Sequence, residues 1–488
     1  MAITVNRKTI HFYPNPKRVI SQFYMPVKED RAQTIVNKIL QLSEEEVSRI
    51  LNQILSNFSK RHRNISKIFE NSFNSLKEIL ANINNNKKQL SLKKKLLIGS
   101  YFTTEFSIES TAFFNPSIVE APDQSNLEEG QKRIIVSFRA TGEKHISSIV
   151  FRQGIIDKDN SLIFQPEGRL VDVPKTIKRY VYKKKIFLKK LAEMHIHKDV
   201  INIVMDKLGE TFIYGELKQS IEETRKQVKV TPSKTKVIEA LMWVARSHYE
   251  IKFSLDTAIS ERVIFPVSYT EVNGIEDARF VKFTDDNGKV IYYATYTAYD
   301  GFTILPKLMK TTDFYHFKVM PIHGAYAQNK GMSLFPRKIE GKYAMISRSD
   351  GINNFIMFSD DINIWEKAKK IQEPLQSWEL IKIGNSGSPL ETEKGWILIT
   401  HGVGPMRSYN LGAVLLDKID PTKVIGRLKE PLLIPNEEER EGYVPNVVYS
   451  CGSIIHNNEL IIAYGMSDYA SGFAGIPLDE LFEKLSDH

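Results

Sequence analysis

The chain has 488 residues, 42% of them apolar and 26% charged, with a single cysteine. This length suffices for two or three compact units; one cysteine excludes an internal disulfide and argues against a cysteine-ligated zinc site. The net charge of +9 resides in the first hundred residues, which hold 18 Lys and Arg against 7 Asp and Glu, so the charge argues for no nucleic-acid partner of the main body.

The N-terminus, Met1-Ala2-Ile3-Thr4-Val5-Asn6-Arg7-Lys8, has no signal-peptide core, and no run reaches the ~18 apolar residues that cross a bilayer. A cytoplasmic protein without a membrane partner is expected. Helices come first. Ser43-Glu44-Glu45-Glu46 forms a capping box, followed by Val47, Ile50, Leu51, Ile54, Leu55 and Phe58 on one helical face. Ile65, Ile68, Phe69, Phe73, Leu76 and Leu80 repeat the stripe, and the basic stretch from Asn82 to Lys95 is expected to be a connector. Residues 1–98 are therefore expected to be a helical extension, read as a solvated appendage or as an arm for docking or self-association.

Beyond residue 100 the pattern changes to short β-type runs, each preceded by a polar turn. Five such units begin at Gly130, Asn287, Gly341, Lys394 and Asn457. The later ones recur at 53–63 residues, the spacing of propeller blades. The first interval is about 100 residues longer, and Phe187, Leu188, Leu191, Met194, Val237, Ile238, Leu241, Met242 and Ala245 give it a helical period. The expected fold is mainly β: a five-bladed β-propeller over 99–488, with a helical insertion at about 170–258 after the first blade.

Loops of a propeller converge on its channel, so candidate residues are sought at equivalent strand ends. Asn273-Gly274-Ile275-Glu276-Asp277-Ala278-Arg279-Phe280 places two carboxylates and an arginine in a strand. Alternation sends Glu276 and Asp277 to opposite faces, one toward the channel and the other toward a structural pair with Arg279. The first unit adds Asn115 and Arg139, the third Lys330 and Arg348, the fourth His401 and Arg407, and the last Asp468. Gly384-Asn385-Ser386-Gly387-Ser388 lacks the Lys-Ser/Thr ending of a phosphate loop. Cys451 reads as packing, and no metal site or cofactor is expected.

In their order along the chain, Asn115-Pro116, Arg139, Gly274-x-Glu276-Asp277-x-Arg279, Asn329-Lys330, Leu334-Phe335-Pro336, Gly341-Lys342-Tyr343, Gly395-Trp396, His401-Gly402-Val403, Leu415-Leu416-Asp417, Asp420-Pro421 and Tyr464-Gly465 with Asp468 resemble glycoside hydrolase family 130, the β-mannoside phosphorylases and β-mannosidases. The resemblance covers about 100–475, less the insertion. It implies a five-bladed propeller and inversion at the mannosyl anomeric carbon. Asp277 would be the catalytic acid, passing its proton through a sugar hydroxyl. Asn115, Arg139, Glu276, Lys330 and Asp468 would bind the sugar, and Arg348, His401 and Arg407 the phosphate.

A phosphorylase needs cations to collect its anionic nucleophile, whereas an inverting hydrolase needs a second carboxylate for water. Lys330, Arg348, His401 and Arg407 favour phosphorolysis, with a β-mannoside oligosaccharide and inorganic phosphate as co-substrates yielding mannose 1-phosphate. An inverting β-mannosidase using Glu143 or Glu276, a β-mannosyltransferase using mannose 1-phosphate, and a non-catalytic glycan-binding propeller stay open.

Overall fold

The computed structural model describes residues 3–486 apart from 27, 84–89, 169, 178–179, 195–197, 228–230 and 302–303. The N-terminal stripes become helices at Glu29–Gln41, Glu44–Phe58, Ile65–Asn74, Lys77–Ile83 and Leu92–Tyr101. The capping box forms as the sequence predicts. Ser43 Oγ accepts from the Glu46 amide at 3.2 Å, and the Ser43 amide donates to the Glu46 carboxylate at 2.8 Å.

The expected connector needs correction. Residues 84–89 lie outside the described residues, but Ser91 caps the helix Leu92–Tyr101, its hydroxyl accepting from the Lys94 amide. Lys93, Lys94 and Lys95 are the first turn of that helix, whose Leu96, Leu97 and Ile98 are buried. The charge run is the solvated start of a helix that buries its other end. Nor are the first residues merely an appendage, because Asn6–Arg7 pairs antiparallel with Ala470–Pro477 at the far end of the chain.

Among the described residues five antiparallel sheets of four or more strands follow, and none closes on itself. The first contains Ala112–Glu120, Lys132–Thr141 and Ser147–Ile156, edged by Val263–Ile264. The second runs from Ile275–Thr284 through Val290–Tyr299 and Ile304–Thr311 to His316–Pro321. Ser333–Leu334 to Ala368–Gln372 makes the third, and Lys382–Asn385 to Val424–Arg427 the fourth. The fifth contains Val448–His456, Glu459–Met466 and Ala470–Pro477. All five runs marked by the sequence are strands.

Each sheet touches the next in chain order, and the fifth touches the first. Ala112–Glu120, Ile275–Thr284 and Val448–His456, the leading strands of their sheets, pack on one another. Helices at Lys184–Glu193, Lys198–Met205, Tyr214–Gln227 and Pro232–Arg246 fill the long interval around their own core of Phe187, Leu191, Val204, Leu241 and Val244. Short strands at both ends of that interval, Lys175–Ile177 and Tyr249–Lys252, continue the second sheet. This pairing ties the helices to the strand system that carries Asp277.

Candidate active site

A cavity of about 680 Å³ opens where the leading strands meet. Asn115, Arg139, Asp277, Lys330, Arg348, His401, Arg407 and Asp468 all line it, so eight of the nine sequence candidates converge. Glu276, the ninth, stands behind the wall and binds two of the others. Strand irregularities place two of them, Asn115 and Asp277. The leading strand of the first sheet is bulged between Phe114 and Ser117, that of the second between Glu276 and Arg279, and that of the fifth between Tyr449 and Gly452. A bulge breaks the strict alternation of faces and re-aims the side chain within it.

Asn115, Asp277 and Asp468 all have left-handed backbone, with φ of 49°, 54° and 51°. Asn and Asp are the residues besides glycine that tolerate this conformation best, so the residue type that carries the chemistry also permits the geometry. Gly465 completes the arrangement: a Cβ there would lie 2.8 Å from the Asn115 amide nitrogen.

The alternation rule misassigned the partners of the two carboxylates. Asp277 accepts from Asn115 Nδ2 at 2.7 Å and from Arg139 at 3.3 Å. Glu276 accepts from Arg139 at 2.9 Å and from Lys330 Nζ. Both therefore share Arg139, because the bulge turns Asp277 back toward the side it would otherwise leave. Arg279, the expected partner, instead donates to Asn385 Oδ1 and, at 2.8 Å, to the Tyr449 hydroxyl. It lies buried beneath the cavity as a strut between the second, fourth and fifth sheets.

Burial by itself would raise the Asp277 carboxyl, but Arg139, the Asn115 amide, Lys330 and Arg279 outweigh it and hold the group below the usual aspartate range. Asp468 differs. Burial, reinforced by the charges of Asp277 and Glu276, pushes it up to about 6, although Arg139 opposes the rise.

The opposite wall carries Arg348, Lys382, His401, Arg407, Tyr409 and Tyr449. Among the described residues, Arg348, Lys382 and Arg407 have no carboxylate within ion-pair distance. Arg348 donates to His401 Nε2 at 3.2 Å; a guanidinium only donates, so Nε2 is the acceptor and Nδ1 bears the proton, facing Ser386 Oγ at 3.2 Å. Burial, then the charges of Arg348, Arg279 and Lys382, lower His401 well below its ordinary value and keep it neutral. Gly384 makes room for this pair, since a Cβ would lie 2.5 Å from the His401 ring.

Sequence reasoning missed Lys382, Tyr409 and Tyr449. Lys382 did carry a signal, being two residues before Gly384 and hence on the same strand face. The tyrosines carried none. Glu143, weighed as a base, is exposed and not among the cavity-lining residues. No cluster of three or more potential metal ligands occurs among the described residues.

A sequence profile of the family described as beta-1,4-mannooligosaccharide phosphorylase matches residues 234–487. A 1,2-beta-oligomannan phosphorylase of Thermoanaerobacter sp. (strain X514) is 38% identical over 218 residues, covering 43% of this chain and 71% of that protein. A beta-1,2-mannobiose phosphorylase of Listeria innocua is 29% identical over 250 residues, covering 50% of this chain and 68% of its own. The solved structure of a Listeria innocua beta-1,2-mannobiose phosphorylase with beta-1,2-mannobiose aligns over 78% of this chain and 94% of that one, at 22% identity and a TM-score of 0.46. On the profile match and the 38% relative, the chain belongs to glycoside hydrolase family 130.

Proposed function

We propose that this protein is an inverting β-mannoside phosphorylase, which transfers a mannosyl unit from a β-linked manno-oligosaccharide to inorganic phosphate and releases mannose 1-phosphate. The observation that carries the reading is the division of one cavity into an ion-paired acidic wall and a cationic wall without a carboxylate partner. Phosphate is already an anionic nucleophile and needs no base, only cations to collect and orient it. Arg348, Lys382 and Arg407 supply those charges, and His401 fixes the Arg348 guanidinium. The names of the relatives, all phosphorylases of β-mannosides, agree with this assignment.

In the reaction a phosphate oxygen bonds to C1 as the C1–O glycosidic bond breaks, and a proton reaches the leaving oxygen. The proton that phosphate loses on becoming an ester balances the one consumed. In this reading Asp277 passes that proton by way of a sugar hydroxyl. Asn115 and Arg139 hold its carboxyl in the ionised form. A bound sugar whose hydroxyls take over those two donors releases the carboxyl upward and lets it carry the proton. Substrate binding thereby arms the acid.

An inverting hydrolase requires a carboxylate ~6.5–9.5 Å from the acid to activate water. Glu276 is engaged by Arg139 and Lys330, which leaves Asp468 as the one carboxylate on the wall, among the described residues, besides Asp277. Incubation with β-1,2- and β-1,4-mannobiose, with and without phosphate, separates the two activities. Phosphorolysis yields mannose 1-phosphate only when phosphate is present. Free mannose released without phosphate, and lost in Asp468→Asn, would overturn the assignment in favour of hydrolysis.

The succession of sheet contacts supports a five-bladed propeller over residues 99–488 as the catalytic domain, with the insertion at about 170–258 and the helical extension 1–98 as additions to it.

A further inference from the structure

A second depression lies behind one wall of the cavity. Asp468 belongs to the turn Ser467–Tyr469 between the last two strands; Asp468 lines the cavity, while Tyr469 lines a second depression of about 370 Å³ on the other side of the turn. The neighbouring segment does the same, with Val444 to Val447 on the cavity and Glu438, Glu439 and Glu441 on the depression. The two spaces share a wall two short loops thick.

Aromatic rings are exposed along that wall. Tyr13 is 58%, Tyr443 68% and Tyr469 42% accessible. Single exposed apolar residues are ordinary on a protein surface, but these are grouped. Tyr13 and Tyr469 lie 6.4 Å apart between ring centroids, His11 stands 6.3 Å from Tyr13, and Tyr443 faces His145 at 5.5 Å. His11 and Tyr13 reach this place because Asn6–Arg7 is the edge strand of the fifth sheet and the Phe12 backbone pairs with Ser471.

An exposed ring with a polar hydroxyl suits a ligand that is itself amphipathic, apolar on its C–H face and polar at its edge. A pyranose is such a ligand, and the carboxylates of Glu438 and Glu441 beside the rings accept hydroxyl hydrogen bonds. The shared wall is the Asp468 turn, on the acidic side of the cavity. In an inverting displacement the leaving group departs on the side of the acid, opposite the incoming phosphate.

We infer that this aromatic rim is a subsite for further mannosyl units of the leaving chain, so that the protein favours oligosaccharides longer than a disaccharide. The inference rests on the phosphorylase reading. The N-terminal segment thereby becomes part of the substrate site.

The test compares mannobiose with mannotetraose of the same linkage, in both the β-1,2 and β-1,4 series, using phosphate-dependent release of mannose 1-phosphate by the full chain. Wild type is expected to favour the tetraose. Tyr13→Ala, Tyr443→Ala and Tyr469→Ala should each lower kcat/KM for the tetraose by about three- to tenfold, as lost aromatic contacts do. Mannobiose should change less than twofold, and Tyr469→Phe should restore the tetraose rate. Equal losses on both substrates, or no loss on either, would overturn the inference.

If wild type forms no mannose 1-phosphate, the phosphorylase reading fails, and calorimetric titration with the same sugars decides the subsite independently. Tetraose binding tighter than mannobiose, with the difference lost in Tyr469→Ala, upholds it. Equal affinities reject it.

Discussion

The two walls of the cavity use charge in opposite ways. On the acidic wall most charges are paired: Arg139 bridges Glu276 and Asp277, Lys330 binds Glu276, and Asn115 binds Asp277, while Asp468 has no ion-pair partner among the described residues. Across from it, Arg348, Lys382 and Arg407 face solvent-accessible space with a neutral histidine and two tyrosines for company. Internal pairing holds a geometry, which fits the first wall to its proposed role of orienting a neutral sugar. Uncompensated charge in a partly desolvated cavity favours an anion, which is the basis for proposing that the second collects phosphate.

The largest test of the contrast is Asp277→Asn, which should lower turnover by about 10² to 10⁴-fold, the usual contribution of a positioned acid, while far-UV circular dichroism and the melting temperature stay close to wild type. Normal turnover would remove Asp277 from the chemistry. Next in size, Arg348→Ala and Lys382→Ala should each raise KM for phosphate about 10- to 100-fold, the worth of a charged hydrogen bond, and leave KM for the mannoside nearly unchanged. Parallel changes in both constants would erase the distinction between the walls.

A smaller effect is expected from pH. Asp468 ionises at about 6, so KM for the mannoside should fall as pH rises through that value, and Asp468→Asn should flatten the profile. The same group has a sign for stability. Its folded-state value exceeds that of an unfolded aspartate, so the native state holds the extra proton between about pH 4 and 6 and the group's contribution to stability declines as pH rises through that window. Asp468→Asn should therefore raise the melting temperature more at pH 7.5 than at pH 4. His401, which burial and the neighbouring cations hold well below its ordinary value, should add no inflection near neutral pH to the phosphate profile. The smallest effect belongs outside the cavity: Ser43→Ala removes a helix cap worth about 1 kcal/mol and should lower the melting temperature of the helical extension without changing kcat/KM.

Legibility differed between the walls for physical reasons. On the acidic wall, Asn, Asp and Glu interrupt apolar strand patterns and can be seen as exceptions, as Glu276-Asp277 are within Ile275–Thr284. Their partners could not be read from the chain, because the bulge between Glu276 and Arg279 cancels the two-residue alternation on which that expectation depended. On the cationic wall, lysines look like any surface lysine, and Lys382 was passed over. Tyr449 looks like any strand tyrosine; only the approach of Arg279 from the second sheet gives it a role.

What the sequence determined by itself was local: where helices cap, where strands begin after their turns, that mainly β units repeat, and which ordered motifs mark the family. These follow from side-chain periodicity and turn chemistry within a few residues of one another. Tertiary structure decided which residues meet. Asn115 lies 162 residues from Asp277, and Arg348 lies 53 from His401, yet each pair is in hydrogen-bond contact. No short-range preference encodes such meetings; they arise from strands of separate sheets packing on one another, which brings scattered polar residues to the walls of one cavity.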